Sequence, residues 1–292
     1  MANGIIIIDK PMDWTSQDVT AKLRGVFATR RVGHGGTLDP MATGVLPVFV
    51  GRATRAVEFF TEARKEYVAT LRLGTVTDTQ DITGRILSRE EPWVSAEAVR
   101  NILPRFLGEQ EQVPPMYSAI KVGGRKLYEL ARAGREVERK PRKIVIDELE
   151  LLESHGPDHV IRVLCSKGTY IRTLCADIGA ALGCGGCMAA LRRTMAGAFG
   201  LEQAVGLSDL LARKEAGEDV EALLLPVDSM FSEYPALILT PAQEKRCRNG
   251  GAFTRVCPEG LLRLYGQNGE FLALGRCEQG RVSTVKSFFE VE

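Results

Sequence analysis

An α+β domain built on a largely antiparallel mixed sheet, followed by a small β domain, is the architecture this sequence predicts. Strand and helix patterns mix along the first 230 residues without a regular βαβ rhythm, which argues against a parallel doubly wound sheet. After Leu225-Pro226-Val227-Asp228 the character changes to short strands separated by Asn268-Gly269 and Gln279-Gly280, both good hairpin turns. The chain has 292 residues, enough for one large domain and one small one. The expected boundaries are 1–230 and 234–292.

Gly4 to Asp9 reads as a buried strand, being a short β-branched run. Thr15 then opens a helix with Asp18 three residues on, a capping-box start, and Val19, Leu23 and Val26 form its apolar stripe. Val45 to Val50 is a strand expected to be broken by Pro47, and Ala53 to Phe60 looks helical. Tyr67 to Leu73 alternates, with Tyr67, Ala69, Leu71 and Leu73 on one face. Ser95 caps a helix with Ala98, Val99, Ile102 and Leu103 on its apolar face, which Pro104 kinks or ends. Lys143 to Glu153 and His159 to Cys165 read as strands, and a helix runs from near Thr173 to before Gly183, a plausible C′ glycine. In the tail, Leu261 to Tyr265, Glu270 to Arg276 and Arg281 to Phe288 are short strands.

Composition excludes several classes. No stretch is long and apolar enough to span a membrane, and the N-terminal isoleucine run lacks the basic leader of an export signal. Seven cysteines scattered over a chain this long fit reduced thiols in a cytoplasm. The overall charge of +1 gives no push toward nucleic acid, but its distribution does. Between Lys121 and Lys143 nine basic residues stand against three acidic ones, a clustering that reads as a surface tracking phosphates.

Arg31-Val32-Gly33-His34-Gly35-Gly36-Thr37-Leu38-Asp39-Pro40-Met41-Ala42-Thr43-Gly44 is the most informative segment. Its glycines permit positive φ and close approach to a ligand, and Pro40 holds Asp39 extended. Gly, Asp and Pro are also ordinary turn residues, so the loop alone leaves turn and active site equal. Cys184-Gly185-Gly186-Cys187 has metal or redox spacing, but no second pair or bracketing histidine follows, and packing near a helix end is the better reading. Thr77-Asp78-Thr79-Gln80-Asp81-Ile82-Thr83-Gly84 lacks calcium-loop spacing and reads as a loop held by its own Asp side chains.

Five motifs in order resemble the bacterial TruB-type tRNA pseudouridine-55 synthases: Gly33 to Gly44, Lys65-Glu66-Tyr67, Thr77 to Asp81, Pro114-Pro115-Met116-Tyr117-Ser118-Ala119-Ile120-Lys121, and Ser166-Lys167-Gly168-Thr169-Tyr170-Ile171-Arg172. The match runs over most of residues 4 to 230, and the tail is similar to a small PUA-like RNA-binding domain. Two departures are Asp13, at a position often glycine, and Gly35, where some members carry threonine.

The resemblance implies a pseudouridine-synthase fold and isomerisation of the T-loop uridine of tRNA, position 55, with base flipping and with a tRNA-folding role in addition. It implies no cofactor and no metal, since the base is detached at N1 and rejoined through C5. Asp39 would be the catalytic carboxylate, as nucleophile at C1′ or base at C2′; the sequence leaves both open. Arg172 would orient Asp39 and lower its pKa, and Tyr67 would stack on the base. His34 would fill space near the extruded base, although a lone histidine is as often structural. Tyr170 would wall the pocket, and a thumb over about 112–143, with Lys121, Arg125, Lys126 and Arg142, would hold RNA together with Lys10. The expected partner is the tRNA T-arm stem-loop bound by a cytoplasmic monomer, with no membrane and no guide RNA. A competing reading is an RNA-binding folding factor in which catalysis is secondary.

Overall fold

Four consecutive isoleucines begin the structure, and their burial on both sides of one strand organises everything around it. The computed structural model describes residues 2–92 and 94–289; positions 290–292 of the expected second domain lie outside the described residues. Strand β1 (Gly4–Lys10) directs Ile6 and Ile8 into one apolar cluster and Ile5 and Ile7 into another, each at most 1% exposed. A strand covered on both faces reads as such a continuous apolar run. Helix α1 (Ser16–Val26) covers one face with Val19, Leu23 and Val26. Its capping box is formed: the Asp18 N–H donates to Thr15 Oγ1 and the Thr15 N–H to Asp18 Oδ2, both at 3.0 Å.

Strands β2 (Val32–His34) and β3 (Thr43–Val50) follow. Pro47 does not break β3. Proline removes only the donor from a strand, and the Pro47 carbonyl still accepts from the Gly35 N–H at 2.8 Å. The helix expected at 53–60 is a 3-10 segment, Gly51–Ala56, ending in the single turn α2 (Val57–Phe60). Then come β4 (Lys65–Leu73), the hairpin β5 (Thr75–Thr77) and β6 (Ile86–Arg89), and α3 (Ala96–Ile102) with Ser95 as its cap. Pro104 falls where α3 gives way to a 3-10 turn, Leu103–Phe106.

The chain leaves the sheet after β7 (Gly108–Gln112), carries the small hairpin β8 (Lys121–Val122) and β9 (Arg125–Lys126) and the short α4 (Leu127–Arg132), and rejoins at β10 (Arg142–His155). Gln112 and Arg142 pair across the exit. Beyond lie β11 (Asp158–Cys165), α5 (Ile171–Ala181), β12 (Gly186–Ala196), β13 (Phe199–Gly200), β14 (Val205–Gly206) and α6 (Leu207–Glu215). The long strand β12 has one β-branched residue, Thr194, so propensity gave no sign of it.

The sheet runs β14-β1-β3-β12-β4-β11-β10-β7, with β2 on β3 and β13 on β12. Only β1 with β14 and β3 with β12 are parallel. β12 joins β3 at just two positions, Arg192 to Thr43 and Arg193 to Gly44, but lies along all of β4. Two cores therefore form, one under α1 and α6 and one under α3 and α5, and Tyr67 and Leu191 touch both.

The second sheet contains β15 (Ala236–Ile238), β16 (Phe253–Thr254), β17 (Gly260–Tyr265), β18 (Phe271–Glu278) and β19 (Arg281–Ser287), ordered β15-β17-β18-β19-β16, with helix α7 (Pro241–Arg248) beside it. Leu274 and Phe288 share a cluster with Ile5, Ile7, Phe49 and Phe231, so this sheet is docked on the first. Lys286 adds an ion pair to Glu58 at 2.5 Å.

Candidate active site

Asp39 lies on the loop between β2 and β3, and the loop is held at nearly every residue. Ser16, first residue of α1, brackets Leu38: its hydroxyl accepts from the Leu38 N–H at 2.8 Å and lies 3.2 Å from the Leu38 carbonyl. The Ala42 N–H donates to the Asp39 carbonyl at 3.0 Å, and the Asp13 N–H to the Pro40 carbonyl at 2.9 Å. Asp13 has φ +66°, which explains why a glycine suits that position; aspartate is one of the few other residues that tolerate it.

The protein's own packing also requires glycine in this loop. Gly36 and Gly44 have positive φ, but the close approaches are to the protein itself. A Cβ on Gly44 would stand 2.2 Å from the Arg193 carbonyl, and one on Gly35 would stand 2.4 Å from the Phe60 ring.

Lys10 also departs from its expected role. It is fully buried, and its ammonium donates to the carbonyls of Pro11 at 2.7 Å, Trp14 at 2.6 Å and Pro40 at 3.2 Å. All three donors of a lysine are thereby used, so Lys10 is not available to RNA phosphate and instead ties β1 to the Asp39 loop. Burial pulls its pKa down to about 8, against the attraction of Asp13 and Asp39.

Arg172, near the start of α5, reaches Asp39: its Nε is 3.0 Å from Asp39 Oδ2. The same guanidinium lies 3.7 Å from Asp81 Oδ2 and donates to the carbonyls of Thr79 at 3.2 Å and Tyr117 at 2.8 Å. The Arg172 side chain is 6% exposed whereas Asp39 is 38% exposed, so the arginine is the wall and the carboxylate the open surface. Burial raises the Asp39 pKa, and Arg172 only partly offsets it, with Asp81 pushing the same way as burial. The lowering expected from Arg172 is present but does not prevail: the desolvation of a carboxylate set among protein atoms outweighs one counter-charge that is shared with a second carboxylate.

Asp81 is the residue whose second role the sequence reading missed. Its Oδ1 does hold its own loop, accepting from Thr79 Oγ1, the Thr83 N–H and Thr83 Oγ1 at 2.6–3.0 Å. Its Oδ2 faces Arg172. The Thr173 hydroxyl donates to Gln80 Oε1 at 2.7 Å, and Met188 on β12 exchanges backbone bonds with Gln80 and Ile82, so the hairpin loop is locked beside α5.

Tyr67 is half-buried on β4, on the face of Ala69, Leu71 and Leu73, at the seam between the two cores. Burial raises its phenol pKa, while Arg193 opposes. His34 on β2 is half-buried; burial and then Arg193 push its imidazole below the ordinary value, which makes it neutral at pH 7. Tyr170 caps α5, its N–H donating to Gln112 Oε1 at 2.8 Å and its carbonyl accepting from Gln112 Nε2 at 3.1 Å.

Asp39 and Arg172 are in contact, Tyr67 stands near enough to Asp39 and Arg193 for both charges to act on its phenol, and His34 lies near the same Arg193. Lys121, Arg125, Lys126 and Arg142 stand apart on and beside the 113–141 excursion, all exposed except the half-buried Lys126, which with Arg132 flanks the Tyr128 ring. Of the Cys184 pair, Cys187 is buried in β12 and the Cys184 thiol donates to the Gly185 carbonyl at 3.4 Å, the packing roles expected.

With this geometry in hand, two family models match the chain: TruB family pseudouridylate synthase (N terminal domain) over residues 24–171, and tRNA pseudouridylate synthase B C-terminal domain over 172–232. A tRNA pseudouridine synthase B of Francisella philomiragia is 41% identical over 289 residues, covering 98% of this chain and 95% of the relative. One from Alkaliphilus oremlandii is 46% identical over 248 residues, covering 85% and 82%. Among solved structures, a Cbf5-Nop10-Gar1 complex aligns with TM-score 0.76 at 29% identity over 99% of this chain and 85% of that one. An H/ACA RNP bound to a substrate RNA containing 2′-deoxyuridine aligns with TM-score 0.75 at 27% identity, over 99% and 86%.

Proposed function

Because the chain belongs to the TruB family of pseudouridylate synthases, whose curated members are tRNA pseudouridine synthases that isomerise uridine 55 of tRNA, we propose that it carries out this isomerisation with Asp39 as the essential carboxylate. The observation that carries this reading is the Asp39 to Arg172 contact at 3.0 Å, with the carboxylate partly exposed and the arginine buried.

Isomerisation breaks the bond from N1 to C1′ and makes one from C5 to C1′, so the site must hold ribose and base separately while the base turns. Asp39 is the group to act at the ribose, as nucleophile at C1′ or base at C2′. Arg172 orients it through a charge-assisted bond. Tyr67 is the platform for the base, and neutral His34 fills the space a flipped base leaves, offsetting an unstacking cost of about a few kcal/mol. Tyr170 walls the pocket.

The 112–143 excursion is the thumb, and its cations supply salt-sensitive phosphate affinity for the T-arm stem-loop. Residues 1–230 form the catalytic domain and the sheet beyond 234 a small RNA-binding one. The enzyme acts as a monomer in the cytoplasm, without guide RNA. A tRNA-folding role coexists with catalysis, favoured by thumb cations that are mostly exposed.

The test is conversion of an isolated T-arm hairpin by purified wild type and Asp39→Ala, read by carbodiimide mapping. Wild type converts the T-loop uridine and the variant does not; undiminished conversion by the variant overturns the assignment of Asp39. Equal promotion of tRNA folding by both proteins separates the second role from the first.

A further inference from the structure

Arg193 is the largest fully buried side chain among the described residues, and among them its guanidinium pairs with no carboxylate. Removing an unpaired cation from water costs several kcal/mol, so a protein that keeps one there gains something else from it. Arg193 Nε donates to the Val45 carbonyl at 2.6 Å and Nη2 to the Gly36 carbonyl at 3.2 Å, one on each side of Asp39 in sequence. Its backbone lies against Gly44, where any Cβ would collide with it. Across the sheet it is the direct partner of Tyr67 in the β12–β4 register, and its positive charge lies close enough to act on the Tyr67 phenol. Its neighbour Arg192 is engaged quite differently, in an ion pair with Asp9 at 2.7 Å.

A guanidinium only donates hydrogen bonds. In a hydrogen bond between the two the Tyr67 oxygen can only accept, which leaves its own proton for another partner. We propose that Arg193 is a positioning residue that fixes the Tyr67 hydroxyl as the acceptor of a hydrogen bond from β12, turns its proton away from that strand, and supplies positive potential for the base as it detaches. This deepens the proposed function and rests on its placement of Tyr67 beside the base. When the bond from N1 to C1′ breaks, its electron pair stays on N1, and the base carries negative charge until C5 bonds to C1′. A buried cation that pairs with no carboxylate among the described residues suits that moment, because a preorganised charge in a site poor in water needs no reorganisation. The groups facing the same phenol besides Arg193 are Cys165 and Asp39, and neither supplies a positive charge.

The experiment compares Arg193→Lys and Arg193→Gln with wild type on the T-arm hairpin, each also in a Tyr67→Phe background, with melting curves to establish folding. Arg193→Gln lowers kcat by about 10²- to 10³-fold with KM changed far less, and Arg193→Lys recovers part of the loss. In the Tyr67→Phe background the same replacement costs little, because the oxygen it positions is gone. Independently of turnover, proteins labelled with 13Cζ-tyrosine, the Tyr67 signal assigned by its loss in Tyr67→Phe, show the Tyr67 titration moved to higher pH in both Arg193 variants, more in Gln than in Lys.

A full loss of kcat in the Tyr67→Phe background, or an unmoved Tyr67 titration, overturns the proposal and leaves Arg193 as a brace for the loop. Should Arg193→Gln fail to fold, the Lys variant decides by the same two readouts. Failure of the proposed function itself looks different: wild type leaves the hairpin unconverted while the Tyr67 titration still responds to Arg193.

Discussion

Lys10 and Lys121 are the same residue type in opposite surroundings. Around Asp39 the cations Lys10, Arg172 and Arg193 are buried, and their donors are taken up by named carbonyls and carboxylates. Along 113–141 the cations are mostly exposed, and few are engaged; Arg139, bonded to Glu136 and to the Pro114 carbonyl, is the best tethered. Charges removed from water act at full strength on their neighbours and do not respond to salt, whereas exposed ones are screened within about 10 Å at 0.1 M ionic strength. In the proposed function the first region sets direction and reactivity and the second gathers a polyanion. The two meet at Tyr117, at the root of the excursion, whose carbonyl accepts from Arg172.

The sharpest way to break this division is Asp39→Asn, which is expected to lower conversion by about 10⁴-fold or more, as removal of an essential nucleophile or base does. Its stability should move the other way. The Asp39 pKa is raised above the ordinary 3.8 by burial, so its protonated form favours folding and stability is lost as pH rises through the folded value. Melting curves should find Asp39→Asn no less stable than wild type at pH 7, with any advantage shrinking as pH falls toward 4. By the same sign, conversion by wild type fails on the acid side at a pH above the ordinary carboxylate range.

Arg172→Lys comes next, with a loss of about 10²-fold in kcat, because an ammonium does not reproduce a planar fork shared among Asp39, Asp81 and two carbonyls. Lys10→Met should cost about 2–4 kcal/mol of stability in denaturant titrations, since it leaves buried carbonyls without their donor, and leave the salt dependence of RNA binding alone. The smallest effect belongs to the thumb. Replacing Lys121, Arg125 and Arg142 together by Gln should weaken RNA binding and flatten the slope of log K against log salt by about 2 to 3. A flattened slope for Lys10→Met, or none for the triple variant, would erase the distinction between the regions.

Much of the scaffold was legible because it rests on local rules. The Thr15 and Asp18 cap, the alternation of β4 and β11, and the Asn268-Gly269 and Gln279-Gly280 turns each depend on residues a few positions apart. β12 was not legible, because its strand conformation is imposed by β3 and β4 on either side rather than by its own residues. Pro47 misled for a related reason: the cost of a missing N–H depends on whether a neighbour needed it, and the loop strand beside it asks only for the carbonyl.

The same boundary runs through the site. By itself the sequence determined that Asp39 stands in a constrained glycine-proline loop, that Arg172 opens a helix, and that positive charge is concentrated between Lys121 and Lys143. Tertiary structure decided which charges lose their water. Lys10 became a buried clamp, Asp81 a second carboxylate on Arg172, Arg193 a cation with no carboxylate partner among the described residues, and Asp39 a carboxylate with a raised pKa. Residue type sets the charge a side chain carries, but desolvation and the sharing of counter-charges depend on atoms that only folding brings together.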